Sequence, residues 1–270
     1  MTDRIIPRYD DYKLIGRTRL DAVLALANSN SLLIARRLID GVSHVNKFGE
    51  NADIAKDTRE DIWDEGGDYI FPTTADITHI SQETDEVGTD GGATIELQGL
   101  DANWDLVVQT ADLDGSDTTT EVALTTPLIR VFRMKVLAGI VLAADIHAVA
   151  SGGATIYAMI LAGNNQTLMA IWACPRGKSA YVTKYYASMT LGTGKEPKGA
   201  NVRLWVADRD SGYEFQLKHS MGIQKGAGNI EHVFDPPMKV SQKSDIKMNA
   251  FAFDNPAQIS AGFDLILIDD

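Results

Sequence analysis

The chain of 270 residues is long enough for one large core or two modest ones, and its 44% hydrophobic and 23% charged residues are ordinary for a globular protein. Its net charge of −12 is regional: residues 50–120 hold 19 Asp or Glu against Lys56 and Arg59 alone, a balance of −17, whereas residues 1–49 stand at +3 and residues 121–270 at +2. Phosphate is bound by clustered Lys and Arg, so this field argues against nucleic acid and anionic membrane lipid and leaves a protein surface, a cation or a glycan as the partner.

From the N-terminus, Leu20, Leu24, Ala27, Ser31, Ile34 and Leu38 recur at intervals of four and three, one stripe of a helix over residues 18–40. Thr18 with Asp21 resembles a capping box and Gly41 suits the stop, while the polar run Asn28-Ser29-Asn30-Ser31 weakens the middle and would split the helix in two. No second amphipathic helix follows for it to pack on. Residues 1–45 are therefore expected to form a helical attachment arm, with Leu20, Leu24, Ile34 and Leu38 as assembly residues, lying on its own domain or docking on another subunit.

Beyond Gly41 the helical period ends. Residues 42–68 read as an extended, turn-rich connector with Ile62 and Trp63 as apolar anchors. Short strands are expected at 69–71, 76–81, 93–98 and 106–111, separated by turn clusters such as Gly88-Thr89-Asp90-Gly91-Gly92, so that residues 46–127 form an acidic connector and short-strand β region.

From residue 128 the strands become longer and more apolar, at 128–136, 155–161, 167–173, 179–191, 201–207, 213–221, 230–234, 245–253 and 258–268. Val202, Leu204 and Val206 should share one face with Arg203 on the other, and the last strand, apolar on both faces after Asp264, should be central. Pro236-Pro237 is placed between strands. The expected fold is mainly β: an antiparallel, jelly-roll-like β-sandwich over 128–270, preceded by the short-strand region and the N-terminal helical arm.

Residues that could carry chemistry are few. Gly192-Thr193-Gly194-Lys195 is similar to the end of a phosphate-binding loop, but Met189 and Glu196 stand where that loop needs Gly and Ser or Thr. His44, His79, His147, His219 and His232 show no metal-ligand spacing among themselves or to Cys174. Cys174 follows an apolar run and reads as a small core residue; with one cysteine there is no intrachain disulfide. Asp112, Asp114 and Asp117 offer oxygen ligands of the kind calcium takes, but Ala123 stands where a closing Glu belongs, and a solvated turn is the better reading. The start of the chain lacks a signal-peptide apolar stretch, and the run over 136–144 is too short to span a bilayer, so synthesis in a cytoplasm and no membrane partner are expected. No catalytic residue, cofactor or metal is assigned.

Several stretches carry a resemblance: Val45-Asn46-Lys47-Phe48-Gly49-Glu50-Asn51 with Glu60-Asp61-Ile62-Trp63-Asp64-Glu65-Gly66-Gly67, Leu97-Gln98-Gly99-Leu100-Asp101-Ala102-Asn103-Trp104, Asn165-Gln166-Thr167-Leu168-Met169-Ala170, Lys243-Ser244-Asp245-Ile246-Lys247, and Ser260-Ala261-Gly262-Phe263-Asp264-Leu265-Ile266-Leu267. Together they resemble a family of tailed-bacteriophage virion structural proteins, over about residues 45–270. The resemblance implies a non-enzymatic virion component, capsid-decorating or tail- or fibre-associated, whose partners are capsid, portal or tail proteins and further copies of itself, expected as a trimer. The alternative is a receptor- or glycan-binding module of the tail or fibre apparatus, in which Trp104, Trp172, Tyr185, Tyr186 and Trp205 would stack on host surface sugars. A polysaccharide hydrolase is the third and weakest reading.

Overall fold

Alternation of inward and outward side chains organises most of the chain. The structure is a computed structural model that describes residues 30–84, 90–137, 142–153, 155–190 and 197–270. A short helix α1 (Asn30–Ala35) leads into β1 (Val42–Ile54) and β2 (Glu60–Asp61). Then come β3 (Ile77–Gln82), β4 (Thr94–Leu100), β5 (Leu106–Asp112), β6 (Val122–Leu128), β7 (Arg130–Val136), β8 (Ile146–Val149) and β9 (Ile156–Ile160). The chain finishes with β10 (Ile171–Ala173), β11 (Lys178–Thr190), β12 (Gly199–Ala207), β13 (Phe215–Gln224), β14 (Ile230–Val240), β15 (Asp245–Ala252) and β16 (Ala257–Asp269).

These strands close into two antiparallel sandwiches, the second inserted into the first between β2 and β10. In the first sandwich, one sheet is ordered β1-β16-β11-β14 and the other β10-β15-β12-β13, with β2 pairing on β15 beside β10. Its core holds Ile54, Val182, Tyr185, Val202, Leu204, Val206, Met248, Ile259, Phe263 and Leu265. In the inserted sandwich, β6-β3-β8-β9 packs on β5-β4-β7 around Ile77, Ile80, Ile95, Leu97, Leu128, Met134, Ile146 and Ile160. Burying each such side chain contributes roughly 1.5–3 kcal/mol before the entropy of ordering it is counted. The alternation expected for Val202, Leu204 and Val206 holds, and β16 is central, hydrogen-bonded to β1 on one side and β11 on the other.

Four expectations need revision. The divide placed at 127/128 runs through the inserted core, because Leu128 and Val131 pack with Ile77 and Leu97; the two cores divide at the ends of the insertion. Residues 42–54, read as connector, are the 13-residue strand β1, paired from Val42↔Ile268 to Ile54↔Ala257. Its buried positions include Lys47, Gly49 and Asn51, so the hydrophobic alternation that marks a strand is missing. Pro236-Pro237 lies within β14, which Pro tolerates because β14 is an edge strand and bulges against β11 there. Finally, the first-45-residue arm is cut into by β1. Of its stripe, Leu20 and Leu24 fall outside the described residues, Ile34 is buried on α1, which lies against β1, and Leu38 follows the helix end, half-buried.

Candidate functional site

Charged and aromatic groups concentrate where the two sandwiches meet. Arg130 opens β7 of the inserted sandwich and Asp245 opens β15 of the first, and both are buried. Arg130 Nε donates to Asp245 Oδ1 at 2.8 Å and Nη2 to Oδ2 at 2.7 Å, the two-pronged geometry in which guanidinium and carboxylate fit best. Nη1 donates to the carbonyls of Pro72 and Ile129, and Nη2 also to the Tyr213 hydroxyl, which itself donates to Asp245 Oδ2 at 2.5 Å. Burial works against the Arg130 charge, but the Asp245 contacts outweigh it and hold the guanidinium above its ordinary pKa; burial likewise pushes the Tyr213 hydroxyl up.

Aromatic rings enclose this pair. The guanidinium lies 4.9 Å from the Trp104 ring and 5.3 Å from Phe71, and Trp104 meets Tyr213 edge-on at 6.3 Å. Both Trp104 (φ 68) and Tyr213 (φ 60) hold the left-handed backbone that bulky residues rarely adopt. Local bonds hold them there. Asp101 accepts from the amides of Asn103 and Asp105 through its side chain and from Trp104 N through its carbonyl, while Trp104 O accepts from Arg176 N; Tyr213 N donates to Asp208 O at the turn before β13. Around the rings is a cleft of about 270 Å³, reached past half-buried Phe71, Tyr213 and Phe215 and exposed Arg209.

A second set of contacts locks β1 and β2 into the same seam. Lys247 Nζ and Tyr69 N both donate to Asp61 Oδ2 at 2.8 Å, and Asn51 Nδ2 donates to Asp61 O. Leu168 N donates to Asp64 Oδ2 at 2.6 Å, and burial raises the Asp64 carboxyl to about 7. Lys47 Nζ is buried and donates to the Phe132 carbonyl; burial, then the neighbouring Arg133 charge, draws its pKa well below that of a free lysine. Gly49 permits the close approach of β1: a Cβ there would sit 2.3 Å from Ala170 N and 2.6 Å from Ile62 O.

The remaining sequence candidates sit apart from this seam or are used within it. Cys174 is buried, as expected, and burial lifts its thiol to about 12. Asp114 and Asp117 are turn residues, accepting from Ser116 and Thr119. Of the proposed sugar-stacking rings, Trp104, Trp172 and Tyr185 are buried; Trp205 and Tyr186 are half-buried, with Trp205 Nε1 bonded to Asn249 and Tyr186 OH to Asn46. His219 and His232 stack at 3.7 Å beside Tyr185, a pairing made across β13 and β14 that no spacing in the sequence announces. Among the described residues no cluster of three His, Cys, Asp or Glu side chains could hold a metal, and no helix is long and apolar enough to cross a membrane. The Arg130–Asp245 seam was also missed by sequence reasoning, since its partners come from strands 115 residues apart.

Two antiparallel β-sandwiches, one inserted in the other and joined by a buried ionic seam, define the class of protein at the level of architecture. No protein-family model matches the chain, and no curated protein matches it.

Proposed function

We propose that the chain is a non-enzymatic structural component of a bacteriophage virion, assembled in the host cytoplasm and built to hold a fixed shape. The observation that carries this is where the family-like stretches meet. Separated along about 200 residues of the chain, Lys47, Gly49, Asn51, Asp61, Asp64, Trp104, Leu168, Asp245 and Lys247 all converge on or beside the seam between the sandwiches, where they bond to or pack against partners on other strands. Residues spent on rigid joining suit a particle component better than a catalyst, whose polar groups must be free to meet substrate.

We infer further that the first sandwich is a jelly roll. With β2 and β10 sharing the second of eight strand positions, its sheets run 1-8-3-6 and 2-7-4-5, the order of two nested Greek keys. Capsid domains use this architecture, which is support by analogy only. On this reading the residues before β1 attach the protein to capsid, portal or tail components, and copies gather as a trimer. Deleting residues 1–29 leaves every described strand in place, so the shortened protein should fold and fail to enter particles. Incorporation at the wild-type level would refute attachment through that segment. The cleft beside Phe71, Arg209, Tyr213 and Phe215 favours the second reading, a host-glycan module; sugar binding on a glycan array lost in Phe215→Ala would support it.

A further inference from the structure

Two surfaces of opposite charge lie apart on the molecule. The first is a cleft of about 390 Å³ between the sandwiches, along the start of β1, lined by Arg37, His44, Lys47, Arg133, Leu106 and Trp172 among others. None of the described residues lining it is Asp or Glu, in a chain of net charge −12. Lys47 spends its ammonium on the Phe132 carbonyl, and His44 leans on Asp264 at 3.8 Å. Arg37, exposed, and Arg133, half-exposed, form no close ion pair among the described residues; Arg133 donates to the Asn46 carbonyl and lies within electrostatic reach of Glu96. Leu106, at the rim, is 54% exposed, and Val108, two residues along the same face of β5, is 59% exposed; β5 is the edge of its sheet.

The second is a shallow pocket of about 250 Å³ lined by Glu65, Gly66, Gly67, Asp68, Ile70 and Ile156 with Trp63. Glu65 and Asp68 are exposed and form no ion pair among the described residues, and Ile70 is 58% exposed between them and the inserted sandwich. One surface is thus cationic with an apolar rim, the other anionic with an apolar centre. They share no residue.

We propose that these surfaces bind each other between two copies of the chain, a head-to-tail contact in which Arg37, Arg133, Leu106 and Val108 of one copy meet Glu65, Asp68 and Ile70 of the next. Charge complementarity selects this occupant, because every copy carries both halves of the pair and the acid-rich stretch 50–120 supplies the anionic half. A contact between different surfaces leaves each end able to bind again, so it builds a ring where the rotation closes and a filament where it does not. The inference concerns self-association of the pure protein and stands independently of the virion reading.

Sedimentation of the full chain over a concentration series tests it. The average mass should rise with concentration at about 20 mM salt and fall back toward the monomer at about 500 mM, where screening shortens the reach of the charges. Arg37→Glu/Arg133→Glu and Glu65→Lys/Asp68→Lys should each weaken association at least about tenfold, while an equimolar mixture of the two recovers a dimer, since each supplies the surface the other has lost. Leu106→Glu, which breaks no hydrogen bond, reads the cationic surface if the double arginine change disturbs folding. A wild-type protein that stays monomeric at low salt overturns the proposal. So does association that the folded variants leave unchanged, or that their mixture does not restore.

Discussion

Arg130 and Asp245, each the first residue of its strand, are joined by two nearly parallel hydrogen bonds of 2.8 and 2.7 Å at the seam between the sandwiches. Every edge of that guanidinium is occupied, by Asp245, Tyr213, Pro72 and Ile129, and rings cover its faces. Removing one partner leaves a buried charge without its counter-ion. Asp245→Asn or Arg130→Met should therefore cost about 3–5 kcal/mol, read as a lower urea midpoint, whereas Tyr213→Phe, which removes one hydroxyl, should cost about 1–2 kcal/mol. Equal losses for all three would mean that the ionic pair has no special weight.

Gly49→Ala should destabilise by about 1–3 kcal/mol, because the close atoms, Ala170 N, Ile62 O and Met169 C, all belong to backbone and cannot swing aside. Gly115→Ala, with open space at its Cβ, is the matched control. Thermal melting of the two variants beside the wild type makes the comparison, and an unshifted Gly49→Ala would show that β1 does not approach so closely.

Asp64 gives the stability a pH dependence of known sign. Burial raises its folded-state pKa to about 7, while an unfolded aspartate ionises near ~4. Between those values the folded protein binds more protons than the unfolded one, so this group's contribution falls as pH rises from ~4 to ~7 and is level outside that window. Asp64→Asn keeps an acceptor for Leu168 N and cannot ionise. It should match the wild type near pH 4 and exceed it by on the order of 1–3 kcal/mol at pH 8, in urea titrations at the two values. A gap of the same size at both would rule out titration of Asp64 as its source.

Cys174 should be inert in the folded protein. Its thiol is buried, is held up to about 12 and donates to the Lys178 carbonyl, so almost none is thiolate at pH 8. A thiol-reactive dye should leave the native protein unlabelled for hours and add one label in denaturant. Rapid native labelling would contradict the burial.

Much of this was decided locally and can be read in the chain. Alternation in β12 and the apolar run of β16 follow from the two-residue period of a strand with one covered face, and they mark a β protein without any knowledge of partners. The environment of Cys174 is likewise written in its apolar neighbours. Tertiary structure alone decided the rest. In β1 the inward positions meet backbone instead of a hydrophobic core: Lys47 meets the Phe132 carbonyl of the inserted sandwich, Gly49 the backbone of Ala170 and Ile62 at the ends of the insertion, and Asn51 the Asp61 carbonyl of β2, so their polarity hid a 13-residue strand. The insertion itself escaped notice because β6 and β7 are continuous in sequence with strands on both sides, and only shared packing assigns them to one core. Arg130 and Asp245 look like ordinary surface charges in isolation. What buries them is the meeting of strands far apart in the chain, and no local pattern encodes which distant partner a charge will find.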